Sequence, residues 1–251
     1  MIRLYVEADL IAAATVGLAT DQAHYLQHVM RAKAGDVVSL FNGRDGEWLA
    51  AIEGFGKGWA SLTVTQHRRP QRVEPDLWLV FAPIKGARID FVAEKATELG
   101  ISTLWPVFTR RTVVSRVNEE RLFANAVQAA EQCERLSVPA VRPAVTLEKA
   151  LASWPAERRL LVLDETGTGR PIAAALAEFP PGPAAVLAGP EGGFTNSELD
   201  DLRRLPFVSF IGLGPRILRA DTAALAALAC WQAWCGDGSE RTAFRAGESS
   251  P

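Results

Sequence analysis

The 251-residue chain is 48% hydrophobic and 22% charged, which is typical of a globular protein of one large domain or two ordinary ones. Its formal net charge of −2 excludes a globally basic nucleic-acid binder, so any such site must be a local patch. The three cysteines are odd in number and lack metal-site spacing, which argues against a disulfide framework and favours a reducing compartment. The first residues show no signal-peptide pattern, and a cytoplasmic location is expected.

Residues 1–72 are predicted to form a small, mainly β domain. One helix is expected at 20–31, and strands at 36–41, 47–52 and 60–65, separated by glycine-containing turns. His24 and His28 share a helix face, but no nearby carboxylate completes a metal site, so helix packing is the favoured explanation. Arg31, at the end of this helix, either interacts with the terminal carbonyls or contacts RNA phosphates.

Beyond a proline-rich and charged boundary at 70–75, apolar runs alternate with helical patterns. Strands are predicted at 77–83, 103–107 and 160–163, and helices at 89–99 and 119–136. This alternation is typical of a parallel sheet with helices on both faces, so 73–236 is expected to form an α/β domain. Residues 237–251 are rich in glycine, serine and charge and are expected to be disordered.

Two glycine-rich loops follow the last two predicted strands, at 184–188 and 208–213. The first contains Gly-Pro-Glu-Gly-Gly at 189–193, and the second contains Leu-Gly-Pro-Arg-Ile-Leu-Arg at 213–219. Both loops should lie at the carboxyl edge of the sheet, where open α/β folds bind ligands. A helix at 222–235 follows, with an apolar run too short to span a bilayer and an alanine-rich face suited to a dimer.

Charged residues in these loops separate into structural and functional candidates. Thr195 and Glu198 form a capping box, which explains both without further chemistry. Asp221 or the next residue is expected to cap the last helix. Glu191 has no evident structural task and is a functional candidate, as is Arg219.

Several enzyme classes lack their motifs. There is no dinucleotide fingerprint, no Walker sequence and no Gly-x-Ser-x-Gly, and no histidine follows residue 67. What remains is a ligand held mainly by backbone atoms of the glycine-rich loops, with arginines for an anionic partner.

Over residues 1 to about 236, the chain resembles the 16S ribosomal RNA uridine N3-methyltransferases, a family of the SPOUT superfamily. The resemblance rests on four segments in order: 84–100, 130–133 (Ala-Glu-Gln-Cys), 189–193 and 213–223. It implies an N-terminal PUA-like barrel, a C-terminal α/β domain with a deep trefoil knot, and a homodimer. It also implies S-adenosylmethionine as methyl donor and the small ribosomal subunit as partner, with no metal and no membrane.

The resemblance implies three groups of site residues. The donor would contact Leu163, Leu187, Gly189, Pro190, Glu191, Gly192, Leu213, Gly214, Ile217, Leu218, Arg219 and Thr222. Glu191 would accept the uracil proton, and Arg219 would stabilise the anionic ring. The candidates for contact with RNA phosphates, each of which has a solvated surface charge as its alternative explanation, are Arg31, Lys85, Arg88, Lys95, Arg110, Arg111 and Arg135.

Two residues depart from the family pattern. Asp221 stands where glutamate is commoner, which keeps the carboxylate but shortens its reach. Glu134 stands where glycine is commoner, which adds charge near the expected RNA face. Donor binding should survive both changes.

Three other functions stay open at this stage. A SPOUT enzyme with another target, such as a ribose hydroxyl or transfer RNA, would share the loops. A non-catalytic RNA-binding protein of the same fold would bind RNA without consuming the donor. An unrelated α/β enzyme using a small phosphorylated ligand is the least favoured.

Overall fold

The computed structural model describes residues 1–240, which divide into two compact units. The first unit contains residues 1–73 and 123–139, and the second contains 74–122 and 140–240. The first division falls inside the proline-rich segment 70–75, whereas the grouping of 123–139 with the N-terminal residues has no counterpart in the sequence pattern. The last eleven residues of the predicted tail lie outside the described residues.

The first unit is built on a five-stranded sheet with the order β1-β3-β4-β5-β2. Its strands are β1 (Arg3–Tyr5), β2 (Thr15–Leu18), β3 (Val37–Phe41), β4 (Glu47–Gly56) and β5 (Trp59–Arg69). The pairing of β1 with β3 is parallel, and the other pairings are antiparallel. Alternate side chains face a core that includes Leu40, Ile52 and Leu62, as period-2 patterning requires. The strands expected at 36–41, 47–52 and 60–65 are confirmed.

The helix expected at 20–31 is instead two short pieces. α1 (Thr20–His24) continues as a π-helical turn, Tyr25–Val29, in which the Met30 amide donates to the Tyr25 carbonyl at 3.0 Å. Arg31 then adopts a left-handed backbone with φ +55°, which ends the helix. The rings of His24 and His28 lie 4.6 Å apart. Within residues 1–240 no group of three or more His, Cys, Asp or Glu side chains could hold a metal ion.

A buried carboxylate, Glu47, connects three elements of the first unit. It accepts hydrogen bonds from Arg3 Nε at 2.9 Å, Ser39 Oγ at 2.6 Å and Arg69 Nε at 2.5 Å. Burial alone would raise the pKa of Glu47, but the hydrogen bonds from Arg69 and Ser39 hold that pKa below its ordinary value. Burial lowers the pKa of Arg3. The ordinary pKa of an arginine is so high that the guanidinium still stays protonated at neutral pH. Both members of the pair are therefore charged.

The second unit contains an eight-stranded sheet in which every pairing is parallel, with the order β11-β13-β10-β12-β6-β7-β8 and β9 paired to β7. Its strands are β6 (Leu77–Phe81), β7 (Thr103–Phe108), β8 (Ala140–Val141), β9 (Val145–Thr146), β10 (Arg159–Leu163), β11 (Arg170–Pro171), β12 (Ala184–Ala188) and β13 (Val208–Gly212). Every residue of β12 is buried because packed side chains cover both faces of the sheet there, which explains its apolar run. The predicted parallel α/β architecture is confirmed.

The remaining helices alternate with these strands along the chain, and most of α3 lies in the segment grouped with the first unit. They are α2 (Ala87–Glu98), α3 (Glu119–Cys133), α4 (Leu147–Ala152), α5 (Ile172–Ala177), α6 (Asn196–Arg203) and α7 (Ala220–Trp234). α3 ends three residues before the predicted end because Glu134 adopts φ +64°. A positive φ favours glycine, which accounts for the glycine that is commoner at this position. None of the helices within residues 1–240 is long and apolar enough to cross a membrane.

We predict that Glu47→Gln lowers the free energy of unfolding of the first unit by about 3–5 kcal/mol at pH 7, because Arg3 loses its buried counter-charge. The lowered folded-state pKa means that the carboxylate stabilises the fold above its unfolded-state pKa and that this contribution is lost as the pH falls through the folded-state pKa. Urea unfolding followed by circular dichroism should therefore show a steeper acid loss in the wild type than in the variant, below about pH 4.5.

Asp9→Asn is the matched control for Glu47→Gln, because it breaks an exposed ion pair with Arg44 in the same unit. It should change the stability little at any pH. Equal losses in the two variants would contradict a dominant role for the buried carboxylate.

Candidate functional site

Three loops at the carboxyl edge of the parallel sheet enclose a cavity of about 650 Å³. They follow β10, β12 and β13, and β10 is paired with both of the other two strands. Because neighbouring parallel strands end at the same edge, their following loops meet there. The volume is within the range of sites for small organic ligands. The sequence-based expectation that the two glycine-rich loops meet at this edge is confirmed.

Most of the residues predicted to bind a donor line this cavity. They are Leu163, Gly189, Pro190, Glu191, Leu213, Gly214, Ile217, Leu218 and Arg219. Three predicted residues lie outside the lining. Leu187 is completely buried within β12, the Gly192 carbonyl accepts a hydrogen bond from Arg111, and the Thr222 amide donates to Asp221.

The loop after β10 supplies a third wall that the sequence analysis did not assign. Asp164 organises this loop by accepting from the Thr166 amide at 2.9 Å and from the hydroxyls of Thr166 and Thr168. Burial alone would raise the pKa of Asp164, but these hydrogen bonds and one from the Gly169 backbone lower it below its ordinary value. In the sequence, the predicted strand that ends at 163 indicated that a loop follows it. Its position between β12 and β13 is not visible in the sequence.

Glycines bring backbone to the cavity wall where a side chain would not fit. A Cβ atom on Gly189 would lie 2.8 Å from the ring of Phe194, and one on Gly169 would lie 2.7 Å from the Ile211 backbone. Gly193 has φ +67°, and a Cβ atom there would overlap the Glu165 carboxylate. The cavity wall therefore presents backbone groups to a ligand.

The capping box expected at the start of α6 is confirmed, and it also holds a neighbouring loop. The Thr195 hydroxyl accepts from the Glu198 amide, while Glu198 Oε2 accepts from the Thr195 amide at 2.8 Å. Its other oxygen accepts from the Arg110 amide at 2.8 Å. Glu198 thereby fixes the loop after β12 against the loop after β7.

Arg88, in the first turn of α2, forms ion pairs with two carboxylates of the site. Its Nε donates to Asp221 Oδ2 at 2.9 Å, and its Nη1 donates to Glu191 Oε1. The hydrogen bond from Arg88, opposed by burial, lowers the pKa of Asp221 below its ordinary value. The expectation that Asp221 or Thr222 caps α7 was wrong, because the N-cap is Arg219 and no side chain caps it. Glu191 likewise has a structural partner that the sequence did not reveal.

The other cations predicted to contact RNA have different surroundings. Lys85 and Arg110 are exposed, and Arg111 donates to the Gly192 carbonyl at 2.8 Å. Lys95 donates to Glu94 and Glu98, and these hydrogen bonds raise the pKa of Lys95 to about 12. In the first unit, Arg31 is exposed and Arg135 donates to the Ser137 hydroxyl at 3.0 Å.

A small cleft lies on the other side of the Pro190–Glu191 turn. It shares these two residues with the larger cavity, and its remaining lining is Pro83, Ile84, Lys85, Arg111, Val113 and Val114. Val113 is 71% exposed, so the cleft combines an uncovered apolar side chain with two cations. Glu191 thus lines both the larger cavity and the smaller cationic cleft.

We predict that Gly193→Ala lowers the free energy of unfolding of the second unit by about 1–2 kcal/mol, the cost of a left-handed backbone in an alanine. Gly192→Ala should be tolerated, because its Cβ atom would lie 3.6 Å from Arg111 and its φ is not positive. Urea unfolding of the two variants tests this adjacent pair. Equal stability of the two proteins would show that the left-handed turn is not required.

The fold and the cavity agree with the class of protein that two family models define: an RNA methyltransferase with an N-terminal RNA-methyltransferase PUA domain. The family model described as RNA methyltransferase domain matches residues 72–232, and the model described as RNA methyltransferase PUA domain matches residues 18–64.

Individual relatives identify the family within this class. The ribosomal RNA small subunit methyltransferase E of Rickettsia conorii is 34% identical over 233 residues, which cover 90% of this chain and 93% of the relative. The crystal structure of the Neisseria gonorrhoeae enzyme of the same name, bound to S-adenosylmethionine, superposes with a TM-score of 0.85 at 28% identity and covers 94% of this chain and 99% of that one. A Legionella pneumophila methyltransferase in complex with S-adenosylmethionine has a TM-score of 0.83 at 28% identity, covering 94% and 98% of the two chains. The chain belongs to the ribosomal RNA small subunit methyltransferase E family, and the resemblance drawn from the sequence is confirmed.

Proposed function

We propose that this protein is an S-adenosylmethionine-dependent methyltransferase that methylates N3 of a specific uridine in the 16S ribosomal RNA of the small ribosomal subunit. The observation that carries the proposal is the cavity that three glycine-containing loops form at the carboxyl edge of the sheet. Family membership supports the reaction class, and the two S-adenosylmethionine-bound relatives support the donor.

The chemistry of this cavity, the donor cavity, fits S-adenosylmethionine. Ile217 lines it with 86% of its surface exposed, and Leu163, Leu213 and Leu218 add apolar wall. Covering such a side chain with a flat apolar ring is favourable. Because Gly189 has no side chain, the Phe194 ring packs against its backbone, and both residues line the cavity. When bound, S-adenosylmethionine supplies an activated methyl group on a sulfonium sulfur.

The residues of this chain contribute mainly by holding the two reactants in line. Positioning of this kind can lower a barrier by roughly 7–11 kcal/mol. The uracil N3 also carries a proton that must leave. We assign its acceptance to Glu191 and the stabilisation of the anionic ring to Arg219, since both side chains line the donor cavity.

The cationic cleft beside Glu191 is the proposed approach for the acceptor nucleotide. Lys85 and Arg111 line it, and Arg110 is exposed next in the chain. A uridine within folded RNA must be single-stranded or flipped out to reach the donor, and cations that hold the flanking phosphates favour that state. Arg31 and Arg135 are proposed contacts from the first unit. Arg88 and Lys95 already have carboxylate partners, which compete with phosphate.

Three properties of the family are proposed for this chain as well. The alanine-rich helix α7, with Trp234 58% exposed, supports a homodimer. We propose that the two loops that follow β12 and β13 form a trefoil knot. A cytoplasmic location follows from a ribosomal substrate.

We predict that the wild-type protein transfers labelled methyl from S-adenosylmethionine to small ribosomal subunits that lack the modification, and that the product nucleoside is N3-methyluridine. Arg219→Ala should lower kcat by about 10²–10³-fold, as removal of an anion-stabilising group does. Glu191→Gln should lower kcat by about 10²–10⁴-fold if the carboxylate accepts the proton. Mass and retention time identify the product.

Each alternative function gives a different result in the same assay. A methylated ribose, or methylation of transfer RNA only, would retain the reaction class and overturn the target. RNA binding without donor binding would indicate a non-catalytic protein of this fold. Arg203→Ala, which removes an exposed arginine paired with Asp200 on α6, is the matched control and should keep full activity.

We predict that the double variant Arg110→Ala, Arg111→Ala binds single-stranded ribosomal RNA with a reduced salt dependence. Each lost phosphate contact should reduce the slope of log K against log salt by about 0.7. Fluorescence anisotropy over a salt series measures the slope, and donor binding checks that the glycine loop held by Arg111 is intact. Lys95→Ala, whose charge is already paired, should leave the slope unchanged. An unchanged slope in the double variant removes both arginines from the RNA site.

A further inference from the structure

Arg88 lies outside the lining of the donor cavity but contacts two of the segments that form it. Its Nη1 donates to Glu191, in the loop after β12, and its Nε donates at 2.9 Å to Asp221, in the first turn of α7. That turn follows directly on the loop after β13. One guanidinium therefore connects two walls of the cavity from outside.

The helix that carries Arg88 is a fixed support. α2 is anchored by four completely or almost completely buried side chains: Val92, Ala93, Ala96 and Thr97. The planar guanidinium can bind two carboxylates in different directions, which a lysine ammonium cannot do with the same geometry. Because the side chain of Asp221 is only 14% exposed, this ion pair is less screened by solvent than a surface pair.

The third nitrogen of Arg88 has no partner of its own among the described residues. Nη2 is enclosed and has no hydrogen-bond acceptor within residues 1–240. Enclosed N–H groups are nearly always paired in proteins, and an exception requires an explanation. Glu191 and Asp221 set the orientation of this guanidinium. That orientation leaves one of its own nitrogens without a hydrogen-bond acceptor in the part of the chain that the structure describes.

We propose that Arg88 is a positioning residue of the donor site, which holds Glu191 and Asp221 and thereby sets the spacing of the two loops that bind S-adenosylmethionine. The inference rests on the proposed function. It assigns Arg88 a role different from the phosphate contact expected from the sequence. Arg88 acts through the two carboxylates and touches neither reactant.

Calorimetric titration with S-adenosylmethionine tests the role directly. Arg88→Ala should weaken donor binding by about tenfold or more. Arg88→Lys should bind the donor with intermediate affinity, since it keeps the charge but lacks the fork. Arg121→Ala is the matched control. It removes an arginine of α3 that pairs with Asp90, which is on the same helix as Arg88, and neither Arg121 nor Asp90 lines the donor cavity. The control should bind the donor within about twofold of the wild type.

A double-mutant cycle separates this role from a general effect on folding. If Arg88 and Asp221 act through one contact, Asp221→Asn should weaken binding little further when Arg88 is already alanine. Over a series of donor concentrations, the fold increase in KM for the donor should exceed the fold decrease in kcat. A strictly additive cycle, or lower unfolding stability with unchanged donor affinity, overturns the positioning role.

The possible outcomes keep the two proposals apart. Wild-type protein that does not bind S-adenosylmethionine overturns both the proposed function and the role of Arg88. Wild-type protein that binds the donor but does not methylate small subunits changes only the target, and the calorimetric cycle still decides the role of Arg88. Unchanged affinity in Arg88→Ala overturns the inference and leaves the proposed function intact.

Discussion

The site depends on the parallel pairing of β10 with β12 on one side and β13 on the other. In this register Val162 is opposite Leu187, and Leu163 is opposite Ile211, so the three strands end at nearly the same level. Their following loops begin side by side and can enclose one cavity. A shift of register would separate these loops and reverse the faces of the buried side chains. The glycines and charges of the site act only once this pairing is in place.

Charge pairing then decides which cations are free for an anionic partner. Arg88 and Lys95 are held by carboxylates from their own unit, whereas Lys85 and Arg110 extend into solvent. Arg88 is bound to one largely buried carboxylate, Asp221, and one exposed carboxylate, Glu191, and it gives up these interactions before it can bind a phosphate. The cationic surface beside Glu191 is therefore smaller than the number of basic residues in the sequence indicates.

Local patterns predicted much of the fold and missed features set by distant contacts. The capping box at Thr195 and the buried strand at 184–188 were predicted correctly, because both follow from near neighbours in the chain. The π-helical turn before Arg31 and the left-handed Glu134 were not predicted, since neither residue is a glycine. The capping role expected of Asp221 was wrong because the carboxylate pairs with Arg88 instead.

The sequence by itself determined the positions of the strands of five or more residues, of α2, α3 and α7, of the two glycine-rich loops, and the family, because each is expressed in contiguous residues. Only the tertiary structure decided that the loop at 164–169 forms the third wall of the cavity, because strand order is not encoded locally. It also decided the partners of Arg88, which are 103 and 133 residues away along the chain. Contacts at such separations arise from the packing of the whole sheet and its helices.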